Sequence, residues 1–250
     1  MTLRTATVAV VLAALTWGLA GCGNGSEDSL VVSAAASVGP ALEVVADAFE
    51  EAAGDVDVVI NVGGSTVLRD QVVAGSPVDL LIVADERLLA PVVDAGMAVS
   101  DARLVASNEL ALLVPAGNPG GIGSLSDLAD SSLAVGLCAE GVPCGDLAAE
   151  ALTAAGVVAS VDTFEPNAGA LVAKVSAGEL DAALAYRSDV VRAAGAVEEV
   201  ELPPEARLAT RYGSLVTAPP ERVASAEAFL EFLVSDDGRS VLSEFGFGVP

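Results

Sequence analysis

From Leu30 onward, short apolar runs alternate with amphipathic stretches, and that alternation restricts the chain to an α/β architecture. Strand-like Leu30 to Ala34, Val56 to Val62 and Val78 to Ala84 are separated by helical Ala41 to Ala53 and Val67 to Ala74. This is the rhythm of βαβ units in a mostly parallel sheet. The run Val78-Asp79-Leu80-Leu81-Ile82-Val83 is nearly continuous in apolar side chains, as expected of a strand covered on both faces.

A second group begins near Leu110, with strand-like Leu110 to Val114, Leu133 to Leu137 and Ala182 to Tyr186. Helical Leu125 to Ala129, Asp146 to Ala155 and Ala170 to Ala177 lie between them. The chain closes with strand-like Tyr212 to Ala218, then helical Ala224 to Val234 and Arg239 to Phe245. Two lobes account for this order if the C-terminal helices return to the first. The expected division is 30–106 with 213–250 for lobe 1 and 107–212 for lobe 2, with linkers near Val105 to Glu109 and Thr210 to Ser214. At 250 residues and 53% apolar composition, the chain has enough material for both cores.

Four loop-to-helix junctions are rich in small neutral residues: Ala35-Ala36-Ser37, Gly63-Gly64-Ser65-Thr66, Val142-Pro143-Cys144-Gly145 and Pro166-Asn167-Ala168-Gly169. None carries a Lys, Arg or His. Ser37 stands before Pro40, a residue suited to a first helical turn, and Ser65 or Thr66, Gly145 or Asp146, and Asn167 occupy the other helix starts as candidate caps. A helix start leaves N–H groups unpaired and holds the positive end of the helix dipole, so several converging on one cleft would bind a small anion without formal charge. In open α/β sheets ligands sit at the carboxyl ends of the strands, where these junctions fall. Gly-Gly-Ser-Thr lacks the Lys of a phosphate loop, which argues against nucleotides.

The chain has 11 basic and 35 acidic residues, a formal net charge of −24, and Lys174 is its one lysine. Nucleic acid and anionic membrane surfaces are therefore poor partners. An anionic ligand would also be repelled at long range, so its site must rely on short-range dipoles in a sheltered cleft.

The first residues combine a basic start at Arg4, an apolar run from Ala6 to Ala20 too short to span a bilayer, and small residues before Cys22. This reads as an export signal over residues 1–21. Its Leu-Ala-Gly-Cys ending resembles a bacterial lipobox, which implies cleavage before Cys22 and lipid attachment to its sulfur, with residues 22–29 as a flexible tether; a plain signal peptide is the alternative. The expected location is the extracytoplasmic side of the cell membrane. Cys138 and Cys144 remain, a disulfide candidate in an exported protein, and metal ligation is the rival reading although the chain has no His.

Four segments occur in an order that resembles the successive motifs of periplasmic molybdate-binding proteins, the receptors of molybdate ABC importers. They are Val32 to Ser37, Gly64 to Val72, Gly75 to Ile82 and Gly178 to Asp189, and Phe245-Gly246-Phe247 also matches. The resemblance spans roughly Leu30 to Pro250. It implies an α/β, two-lobed periplasmic-binding-protein fold (type II), each lobe a mostly parallel sheet flanked by helices. It implies oxyanion-binding residues Ser37 and Ser65 through hydroxyl and backbone N–H, Cys144 and Ala168 through backbone N–H, and Tyr186 through its hydroxyl. Cys144 stands where the family usually has Ala, and Ala168 where it has Val. The implied ligand is molybdate, with tungstate beside it; molybdenum enters only as its oxyanion, and no cofactor is expected. The implied partner is the membrane permease of the importer, and the protein is expected to be a monomer.

Three alternatives stand beside this expectation. One is a receptor for sulfate or another tetrahedral oxyanion, and another is a surface signalling or adhesion protein whose cleft is vestigial. The third is an enzyme on the same scaffold, since fold does not fix function; Asp79, Asp181 and Asp189 have no His, nucleophile motif or cofactor loop with them, and Asp79 and Asp181 read as structural.

Overall fold

The structure is a computed structural model that describes residues 29–54 and 56–250. The segment expected to be an export signal, residues 1–21, and Cys22 lie outside the described residues. Among the described residues no helix is long and apolar enough to cross a membrane.

The chain begins with β1 (Ser29–Ala35), α1 (Gly39–Ala53), β2 (Asp57–Gly63), α2 (Ser65–Val73), β3 (Leu80–Val83) and the short α3 (Ala90–Asp94). The long β4 (Arg103–Pro115) leads into β5 (Val135–Cys138), α4 (Pro143–Ala154), β6 (Thr163–Glu165), α5 (Ala168–Ser176), β7 (Ala182–Tyr186), α6 (Arg187–Arg192) and β8 (Val197–Val200). The return strand β9 (Ala209–Val216) is followed by α7 (Val223–Leu233) and α8 (Asp236–Glu244). The strands run in the order β2-β1-β3-β9-β4-β7-β5-β6, with β8 also paired to β4.

Each half of this curled sheet is a parallel trio: β2, β1 and β3 on one side, β6, β5 and β7 on the other. Antiparallel β9 and β4 lie between the trios. Every residue of β3 is buried, whereas β2, at the sheet edge, alternates between exposed and half-buried positions. On α1, Ala41, Leu42, Val45, Ala46 and Phe49 recur at helical spacing and form its buried face. Phe49 meets the ring edges of Phe229 and Phe232 at 5.3 and 5.6 Å, so α7 shares the core of β1 and α1. A separate core joins Leu112, Leu113, Leu137, Leu171 and Leu184 in the other lobe. Each such side chain taken fully from water contributes about 1.5–3 kcal/mol.

The segments expected to be linkers are strand. Residues of β4 and β9 pair antiparallel from Arg103 opposite Ser214 to Glu109 opposite Ala209, with a register shift between Leu104 and Ala106. Ser107, Asn108 and Thr210 interrupt the apolar pattern and so resemble loop. Their polar groups are satisfied within the fold: Thr210 Oγ1 donates to the Ala84 carbonyl, and Ser107 exchanges backbone hydrogen bonds with Gly248.

Asp79 and Asp181 also hold the frame together. Fully buried Asp79 accepts from Val31 N–H and from Arg222 Nε, both at 2.8 Å, which ties β1 to the approach to α7. Asp181 accepts from Ala134 N–H at 2.8 Å, joining the segments ahead of β7 and β5.

Candidate functional site

The four junctions and the end of β7 meet around one cavity of about 20 Å³. On the measure by which one water needs about 10–15 Å³, this admits an ion of a few atoms. Ser37, Ser65, Cys144, Ala168 and Tyr186 all line it, each at most 5% exposed. No lining residue has a formal charge.

The serines lie at the helix starts without capping them. Val38, Gly64 and Val142 are the N-caps of α1, α2 and α4, and none of these helices has a side-chain cap. Ser37 instead places its hydroxyl 2.6 Å from Tyr212 Oη, and Ser65 Oγ accepts from Ala84 N–H at 3.0 Å. The first-turn N–H groups therefore stay available. In α4, Pro143 has no N–H, while Gly145 and Asp146 bond back to Val142 O, which leaves the Cys144 N–H at the cavity wall. In α5, Asn167 Oδ1 caps Ala170 N–H at 2.9 Å and leaves Ala168 N–H beside the same space.

Tyr186 ends β7 and starts α6. Asp189 reaches back to Tyr186 N–H at 3.1 Å and is held by Arg192 at 2.7 Å. Burial raises the Asp189 carboxyl above its ordinary range, and the Arg192 guanidinium opposes that rise. The Tyr186 hydroxyl is buried with no hydrogen-bond partner. Burial also drives its phenol well above the usual tyrosine range, with the nearby Tyr212 and Asp189 acting the same way, so it stays a neutral O–H donor at physiological pH.

The lobes touch across the cavity. Thr66 Oγ1 donates to Gly141 O, and Ala36 approaches Gly169 from the other wall. Asn108, Ser188 and Tyr212 form a buried polar cluster behind Ser37 that the sequence reading did not single out. Their contacts join residues 80 to 175 positions apart, a separation that leaves no local pattern.

Cys138, at the end of β5, and Cys144, in the first turn of α4, form a disulfide with Cα atoms 5.7 Å apart. The bridge closes the short loop that presents the Cys144 N–H. Reducing it is expected to cost about 2 kcal/mol of stability on loop-entropy grounds and to weaken ligand binding modestly. Thermal melts and titrations with and without reductant measure both effects, and mass spectrometry of the exported protein counts its free thiols.

The chain matches the bacterial extracellular solute-binding protein family over residues 30–248. It is 30% identical over 252 residues to the molybdate-binding protein ModA of Mycobacterium tuberculosis, covering 96% of this chain and 97% of that one. The periplasmic molybdate-binding protein of Azotobacter vinelandii superposes with a TM-score of 0.78 at 21% identity, over 88% of this chain and 99% of that one. The sulfate-binding protein SubI of Mycobacterium tuberculosis does so with a TM-score of 0.77 at 21% identity, over 88% and 86%. At such identities the two superpositions establish the fold alone.

Proposed function

The chain belongs to the bacterial extracellular solute-binding protein family, and from that premise we propose that it is a molybdate receptor that also takes tungstate. On this reading it delivers the ion to the permease of an ABC importer and carries out no chemistry on it. The observation that carries the proposal is the Tyr186 hydroxyl, a buried neutral donor without a partner at the wall of an ion-sized cavity. Ser37, Ser65, Cys144 and Ala168 supply the other donors. A hydrogen bond to a charged group contributes about 1.5–3 kcal/mol, so the seven donors of these five residues give on the order of 10–20 kcal/mol. Micromolar to nanomolar binding needs about 8–12, which leaves some for closing the lobes. The sequence similarity to a molybdate-binding protein favours molybdate over sulfate as the tetrahedral ion. A leader over residues 1–21, a lipid anchor at Cys22 and a monomeric state belong to the same proposal.

Calorimetric titration with molybdate, tungstate, sulfate and hydrogen phosphate tests it. A donor shell sized for the larger ions leaves gaps around sulfate, so molybdate and tungstate bind far more tightly. Added salt scarcely changes the equilibrium affinity, because no lining cation is there to be screened. Tyr186→Phe weakens binding about tenfold with the fold intact. Sulfate binding as tight as molybdate overturns the assignment, and affinity that collapses with salt overturns the neutral shell.

A further inference from the structure

Three hydroxyls line the cavity, and what each oxygen already accepts decides where its proton goes. Ser65 Oγ accepts from Ala84 N–H, and Tyr186 Oη has no partner. Ser37 Oγ and Tyr212 Oη lie 2.6 Å apart, and that contact alone does not say which of them donates. The choice is made one residue further back. Asn108 Oδ1 accepts from Glu109 N–H at 3.1 Å and from Ser188 N–H at 3.3 Å. Backbone N–H groups can only donate, so these contacts identify the amide oxygen and place its nitrogen on the opposite side.

That nitrogen donates to Ser188 Oγ at 2.7 Å and to Tyr212 Oη at 3.3 Å. With its oxygen accepting from Asn108, Tyr212 directs its proton to Ser37 Oγ. Ser37 then accepts, and its own proton is left for the cavity that it lines. The reverse polarity would strand a phenolic proton on Tyr212, which is 0% exposed, and an unpaired buried donor is costly.

Resting on the oxyanion reading of the cavity, we propose that Asn108 and Tyr212 are specificity-determining positioning residues. Neither lines the cavity. Together they occupy one Ser37 lone pair, and because Ser37 Oγ has no other hydrogen-bond partner among the described residues its proton turns to the ion, so that the shell favours tetrahedral oxyanions carrying no proton. Molybdate presents only acceptor oxygens at neutral pH. Hydrogen phosphate brings an O–H that needs an acceptor, and the relay withholds the lone pair that Ser37 would otherwise offer.

The test is the ratio of molybdate to hydrogen phosphate affinity, measured by calorimetry at about pH 8 in the full chain and its variants. Tyr212→Phe frees Ser37 to turn and accept, and narrows the ratio about tenfold. Asn108→Asp reverses the relay: Tyr212 donates to the carboxylate, its oxygen takes the Ser37 proton, and a Ser37 lone pair faces the ion. The added charge weakens both anions together, so the ratio still narrows. In a Ser37→Ala background neither substitution moves it. A purely structural role lowers both affinities in parallel, so a ratio unmoved in both variants overturns the relay. A parent chain that binds none of the tetrahedral oxyanions overturns the reading of the cavity instead.

Discussion

Ser65→Asp binds molybdate more than about 10⁶-fold more weakly than the parent chain. Two effects add. The substitution removes an O–H donor, which costs about 1–3 kcal/mol. It also sets a carboxylate beside a dianion, and at about 4 Å and an effective dielectric constant near 20 each pair of unit charges repels by about 4 kcal/mol. The dipole at the start of α2 acts on the carboxylate with and without ligand, so it does not offset this repulsion. Ser65 is buried and its Oγ accepts from the Ala84 N–H, so the carboxylate is partly desolvated and the first-turn N–H groups of α2 offset that cost only in part. Slightly lowered melting with binding lost is therefore the expected pair of results. Ser65→Ala, which deletes the hydroxyl alone, loses only about ten- to a hundredfold. An Asp variant that binds within tenfold of the parent would rule out a shell built from neutral donors.

Gly64→Val separates folding from closure. Gly64 has φ −70° and ψ 130°, a conformation open to any residue, so the backbone of α2 does not itself require glycine there. The requirement comes from the other lobe: a Cβ at this position would lie 2.9 Å from Pro166 O. With the lobes together, valine adds three carbons where even one is too close. Overpacking of this kind costs about 1–3 kcal/mol, hence a roughly five- to 150-fold loss of affinity. The ligand-free chain should melt close to the parent, apart from the poorer N-cap. Ligand should no longer compact the molecule in small-angle scattering. Parent-like affinity in Gly64→Val would mean that the lobes do not need to meet at Gly64 and Pro166 for the ion to be held.

The elements whose apolar period is unbroken were legible in the sequence. The buried face of α1, the fully covered β3 and the apolar β7 all follow from local pattern. The polar stretch Ser107-Asn108-Glu109 was not, because it is strand only by virtue of its partner β9, and its hydrogen-bond partners lie far along the chain. Helix α6 escaped for a different reason. Its N-cap is a tyrosine, and the Asp189 that reaches back to it is an ordinary helix-start signal only once Tyr186 is known to end a strand.

The five candidate residues lie together because each stands where a strand hands over to a helix, and such a switch carries a readable mark in small residues, Pro and Ser. What they bond to was unreadable. Ser37 and Ser65 look like caps in sequence, and only the folded chain brings Tyr212 and the Ala84 N–H to their oxygens.

The lobes are joined by a hydrogen-bonded ladder of β4 and β9, and slack chain would behave differently. A ladder resists stretching and shear and yields mainly to twist, most readily where its register slips between Leu104 and Ala106. Parting the lobes must also break the Thr66 bond to Gly141. Opening therefore costs both that bond and a twist of the ladder. Departure of a bound ion is then governed by the waiting time before the joint swings, so two variants of equal equilibrium affinity can differ widely in how long they retain their cargo between capture and hand-over.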